Sequence, residues 1–171
     1  MQQLARSRSQ NGPARVYVSV APRITERPSW PKRLEDIRAE LPENIELVTY
    51  HDAFDDHSAY TEGWPDLAAS LDGLIVVAVR KKTTGLVYVV GPAARRELRT
   101  MAGARKPVLL HAIDHGLVPL VDLEPRRIGS DGRQQLKLAV PPRWNRSEPT
   151  LRAALGALGA GPAVSQVVPV G

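Results

Sequence analysis

Glu97 is the side chain with the strongest claim to chemistry. It falls early in a helix that Gly91-Pro92 opens and Gly103 closes, since Pro fits a first turn and Gly suits the position after a last one. Arg95 and Arg96 precede it, and Arg99 and Arg105 follow. A helix start so placed lies at the carboxyl ends of adjacent strands, where open α/β sheets bind ligands, and a carboxylate there is a candidate catalytic or binding group. The bland reading of the same pattern is a surface acid favoured by the helix dipole. Tyr17 and Ser19 lie in the apolar run Val16-Tyr17-Val18-Ser19-Val20, which ends at Ala21-Pro22. A Tyr on such a strand fills core space as readily as it serves a site. His111 and His115 flank a strand end and read as acid–base candidates or as structural histidines. The polar stretch HDAFDDH (His51 to His57) has the donors for a hard cation or a His-ligated metal, but it matches no metal-binding motif and no metal is assigned. Ser19 has no Gly-x-Ser-x-Gly elbow, and the chain has neither a phosphate-binding P-loop nor a dinucleotide fingerprint, so ATPase and dehydrogenase readings gain no support.

The elements that must position these residues alternate. Val16 to Val20 is a first strand, and a Pro-rich loop from Arg23 to Pro31 follows it. Lys32 to Leu41 is an amphipathic helix with Leu34, Ile37 and Leu41 on one face, and Ile45 to Tyr50 is a second strand. The stretch from His51 reads as a polar loop, with a short helix from Trp64 to Leu71. Leu74 to Val79 is a continuous apolar run, as expected of a parallel strand covered on both faces. The helix bearing Glu97 comes next, then strands at Pro107 to His111 and Leu117 to Leu123. Arg126 to Val140 predicts a hairpin turning at Asp131-Gly132, and Pro149 to Leu158 predicts a final helix. The expected fold is therefore α/β: a doubly wound, flavodoxin- or Rossmann-like parallel sheet of about five strands with helices on both faces. Residues 1–14 read as a flexible basic tail, 15–158 as one domain with 126–140 as a hairpin extension, and 159–171 as a second flexible tail.

The 171 residues suffice to bury a core, and 43% hydrophobic with 24% charged residues is ordinary for a globular chain. With no cysteine, disulfides, thiolate catalysis and Cys-ligated metals are excluded. No apolar run reaches the about 20 residues needed to span a bilayer, and the N-terminal stretch lacks a secretory core, so a cytoplasmic protein without membrane contact is expected. A net charge of +5 invites a nucleic-acid reading, but the cations are scattered and aromatic content is 5% with a single Phe. Anionic small molecules account for the charge as well, and a nucleic-acid partner is not expected.

Three stretches together, VYVSVAP (Val16 to Pro22), LDGLIVVAV (Leu71 to Val79) and the Gly91-initiated helix carrying Glu97 before KPVLL (Lys106 to Leu110), resemble the nucleoside 2-deoxyribosyltransferase-like superfamily. That group comprises nucleoside deoxyribosyltransferases and related nucleotide N-glycosidases. The resemblance covers roughly Val16 to Leu123. It implies Glu97 as nucleophile, Tyr17 as its orienting partner and Asp72 as a polar group holding substrate, with Ser19, Ala21, Pro22, Gly91, Arg95 and Arg96 around the ligand. It further implies a nucleoside or nucleoside 5′-monophosphate as substrate, no cofactor, and a homo-oligomer, because members complete their sites across subunits. The competing expectation is a non-catalytic module of the same fold that binds a nucleotide-like ligand or another protein.

Overall fold

The computed structural model describes residues 12–80, 87–125 and 136–159. Its centre is a five-stranded sheet in the order β2-β1-β3-β6-β7. Strand β1 (Ala14–Val20) pairs in parallel with β2 (Ile45–Val48) and with β3 (Gly73–Val77), and β3 pairs in parallel with β6 (Val108–Ala112). Every residue of β3 and of β6 is buried, which is why both read as unbroken apolar runs.

The fifth strand corrects the expectation of an all-parallel sheet. Strand β7 (Gly116–Pro119) runs antiparallel to β6, and a 3₁₀ turn (Leu120–Asp122) follows where the strand was expected to continue. Only Ile113, Asp114 and His115 separate the two strands, whereas a parallel return needs a crossover of a dozen or more residues. Gly116 re-enters the sheet at φ 76°, a left-handed conformation that favours glycine.

Two further differences concern segments read as loops. After β3 the chain forms β4 (Val79–Arg80) and β5 (Val87–Val90), which join β8 (Glu124–Pro125) and β9 (Leu136–Ala139) in a second, antiparallel sheet ordered β4-β5-β9-β8. The turn expected at Asp131-Gly132 lies outside the described residues, as do most of the two expected tails. The polar stretch from His51 is largely helical: α3 (Tyr50–Ala53) and α4 (His57–Ser70) replace the loop. Asp52 joins Thr49 in a capping box at the start of α3, and the Asp56 carboxylate accepts from the Ala59 N–H at 2.8 Å to cap α4. Two acids of this stretch, Asp52 and Asp56, are thus helix caps, and among the described residues no cluster of three His, Asp or Glu could hold a metal ion.

The remaining helices are α1 (Pro22–Thr25), α2 (Trp30–Glu40), α5 (Pro92–Gly103) and α6 (Pro149–Gly159). Helix α5 packs on β1, β3, β6 and α4, whereas α2 and α6 pack on β7. Registers set which strand residues share a face, since partners on adjacent parallel strands point the same way. Ser19 aligns with Val76 and Val76 with Leu110; Val20 aligns with Val77 and Val77 with His111, one residue on and therefore on the other face. At the edge strand β7, the Glu40 carboxylate accepts from the Leu117 N–H at 2.8 Å and from Arg146 at 2.7 Å. None of the helices among the described residues is long and apolar enough to cross a membrane.

Candidate active site

Glu97 is 4% exposed, so the surface-acid reading of its position fails. In α5, Glu97, Leu98 and Met101 are the buried residues, a spacing that turns one helical stripe onto the sheet. The Glu97 Oε1 accepts a hydrogen bond from the Tyr60 hydroxyl at 3.0 Å, while Oε2 is fully buried without a hydrogen-bond partner among the described residues. Burial pushes the Glu97 carboxyl up to about 7; the nearby Ser19 hydroxyl, the Tyr60 hydroxyl and the Arg96 charge act in the opposite direction. Glu97 is thus a carboxyl that exchanges its proton near neutrality, as general acids, bases and activated carboxylates do.

An aromatic wall surrounds this group. The Tyr60 ring lies 5.3 Å from Phe54, 5.7 Å from Tyr50 and 6.1 Å from Trp64, with His57 stacked on it at 5.9 Å. Tyr17 packs on Trp64 at 5.3 Å. Burial, then the charge of Glu97, raises both tyrosine hydroxyls: Tyr60 to about 12 and Tyr17 further still, so both are neutral donors. Arg96 is exposed, its guanidinium carbon 5.0 Å from the Tyr60 ring centroid in cation–π geometry.

Of the residues expected around the ligand, Ser19 and Tyr17 share a face of β1 with Glu97, and the Tyr60 hydroxyl supplies the hydrogen bond that the resemblance gives to Tyr17. Ala21 and Pro22 form the N-cap and first residue of α1, directly after β1. Gly91 is the N-cap of α5 in ordinary extended backbone, and a Cβ there would meet no atom within 4 Å. Arg95 is half-buried. Asp72 is elsewhere. It accepts from the Arg15 N–H at 2.7 Å and returns its own N–H to the Arg15 carbonyl at 2.8 Å, closing the amino ends of β1 and β3. Four strand residues separate that end from Ser19, roughly 13 Å at the usual rise.

The sequence reading missed Tyr60, Trp64 and Phe54. A usable signal was present: Asp56 is a good N-cap, and Tyr60 and Trp64 are four residues apart, on one helical face. His111, a candidate acid or base, is buried at the end of β6 and accepts at Nδ1 from Arg33 Nε at 3.0 Å. Burial, then the Arg33 charge, lowers it to about 4, so it is neutral at physiological pH with its proton on Nε2.

No family model, curated protein or solved structure matches the chain. Among the described residues, a cleft of about 800 Å³ opens beside β2 and another of about 690 Å³ beside α2, and neither is lined by Glu97 or Tyr17.

Proposed function

We propose that the protein cleaves or transfers the N-glycosidic bond of a nucleoside or nucleoside 5′-monophosphate, with Glu97 as nucleophile. The observation that carries this reading is the buried Glu97 carboxyl, held at Oε1 by Tyr60 and unbonded at Oε2 among the described residues, beside the carboxyl end of β1. Open α/β sheets take ligands at that edge. A doubly wound arrangement with helices on both faces belongs to the same reading; the packing of α5 on β1, β3 and β6, and the reach of Arg33 from α2 to His111, support it.

In this mechanism Oε2 of ionised Glu97 bonds to the anomeric carbon as the carbon–nitrogen bond breaks. The base leaves with the bonding pair and takes a proton from solvent. Water or an acceptor base then bonds to the anomeric carbon and gives a proton back to solvent as the carbon–Oε2 bond breaks, restoring the carboxylate. Tyr60 holds Oε1 and so leaves Oε2 as the attacking atom.

A second reading, a nucleotide-binding module without turnover, is favoured by the enclosure of Glu97 away from both surface clefts. A base-release assay over nucleosides and 5′-monophosphates, with and without an acceptor base, separates the two. Release that disappears in Glu97→Gln supports the enzyme. Ligand binding without release from any substrate favours the module, and release that survives Glu97→Gln overturns the assigned nucleophile.

A further inference from the structure

We infer that the cleft beside α2 is a binding site for a phosphate-bearing planar ligand of the nucleoside-monophosphate type, separate from Glu97. The cleft encloses about 690 Å³, the size range of small-molecule sites. It meets the sheet at His111, which faces away from Ser19 and thus from Glu97.

The charges lining it do not cancel. Lys32 is paired with Asp36 at 2.5 Å, Arg146 with Glu40 at 2.7 Å, and Asp114 with Arg80 at 2.6 Å. Arg27 and Arg33 remain. Among the described residues the Arg27 side chain has no ion-pair or hydrogen-bond partner. Arg33 is half-buried, yet its guanidinium bonds only neutral acceptors: His111 Nδ1 at 3.0 Å, the His111 carbonyl at 3.1 Å and the Ala78 carbonyl at 3.4 Å. Burial, and the repulsion of Arg27, depress its affinity for its proton. The lining thus sets four cations (Arg27, Lys32, Arg33 and Arg146) against three acids (Asp36, Glu40 and Asp114), and an excess of positive charge in a concave site creates a potential that an anion relieves. Guanidinium groups recognise phosphate bidentately.

The same cleft has an apolar side. Trp30 is half-buried along it with no aromatic ring of the described residues packed against its own, and Ile113, 63% exposed, forms its lip. A flat heteroaromatic group fits between such surfaces, and phosphate alone leaves them uncovered. The inference is independent of the reading of Glu97, since none of the groups that act on that carboxyl (Ser19, Tyr60 and Arg96) lines this cleft.

The test is calorimetric titration of the full chain with AMP and, separately, with inorganic phosphate, repeated in Arg27→Ala, Trp30→Ala and Glu97→Gln. AMP is expected to bind, more weakly as salt rises. Arg27→Ala, at an exposed unpaired residue that folding does not need, weakens both ligands about tenfold, the loss of one charge-assisted contact. Trp30→Ala weakens AMP and leaves phosphate unchanged, and Glu97→Gln retains cleft binding whether or not base release is ever found. Absence of AMP binding at low salt overturns the proposal, as does binding that Arg27→Ala and Trp30→Ala leave intact. Loss of AMP binding in Glu97→Gln alone places the ligand at Glu97 and overturns it equally. Equal loss of both ligands in Trp30→Ala with an unchanged melting curve removes the planar-ligand assignment.

Discussion

Tyr60 donates its hydroxyl to Glu97 Oε1 at 3.0 Å from a helix other than the one that carries the carboxylate. The contact ties α4 to α5 and distinguishes the two oxygens of one carboxyl: Oε1 is held by Tyr60, and Oε2 is enclosed with no hydrogen-bond partner among the described residues.

Removing that donor changes the acid. The Tyr60 hydroxyl favours ionised Glu97, so Tyr60→Phe is expected to raise the carboxyl above its present value of about 7. A hydrogen bond to a charged group is worth about 1.5–3 kcal/mol, and a shift of about one pH unit follows after partial compensation. Carbon-13 NMR of glutamate-labelled protein reads the titration directly, and any base-release profile should move its rising limb alkaline by the same amount.

Stability should depend on pH through two opposed groups. Glu97 is raised to about 7, so the folded state holds its proton more tightly; the contribution is complete below the unfolded value near 4.5 and is lost as pH rises through 7. His111 is lowered to about 4, so its contribution is present above 6.5 and is lost as pH falls through 4. Each is worth about 3 kcal/mol at most, and between about pH 4.5 and 6.5 they offset. Wild-type stability from urea melts should therefore be nearly flat there. Glu97→Gln should unmask stability that rises with pH, and His111→Gln, which keeps an acceptor for Arg33, stability that falls.

Asp72 should matter to folding and leave Glu97 alone. Asp72→Ala removes the acceptor of the Arg15 N–H at the amino end of β1. A loss of about 1–2 kcal/mol is expected, with the Glu97 titration unmoved. A shifted titration would contradict the separation of the two ends of the sheet.

Gly116→Ala should be costly. Gly116 sits at φ 76°, and a Cβ would lie 2.3 Å from the Arg146 guanidinium and 2.4 Å from Glu40 Oε1. Strain and the broken ion pair together should exceed about 2 kcal/mol, measured as a lower urea midpoint with an unchanged slope.

The central strands were legible because burial on both faces writes itself as continuous apolar sequence, as at Leu74 to Val77. Glu97 was legible because Gly91-Pro92 fixes where its helix begins. Tyr60 was not, because His51 to His57 is dense in acids and histidines that read as solvated loop, while two of those acids are spent on caps. The second sheet was hidden for a different reason. Its strands are only two to four residues long, and β5 finds its partner β9 nearly fifty residues away, beyond any local pattern. The position of Asp72 was legible too, since a residue that precedes a parallel strand lies opposite the edge where ligands enter.

Glu40 has a consequence beyond its ion pair. Strand β7 closes one side of the sheet, and an exposed edge with free N–H groups is a template for another strand. By accepting from the Leu117 N–H, the Glu40 carboxylate occupies the donor to which an incoming chain would bond, and Arg146 holds it there. The acid thereby satisfies a backbone donor of an edge strand whose every residue is buried and on which α2 and α6 pack.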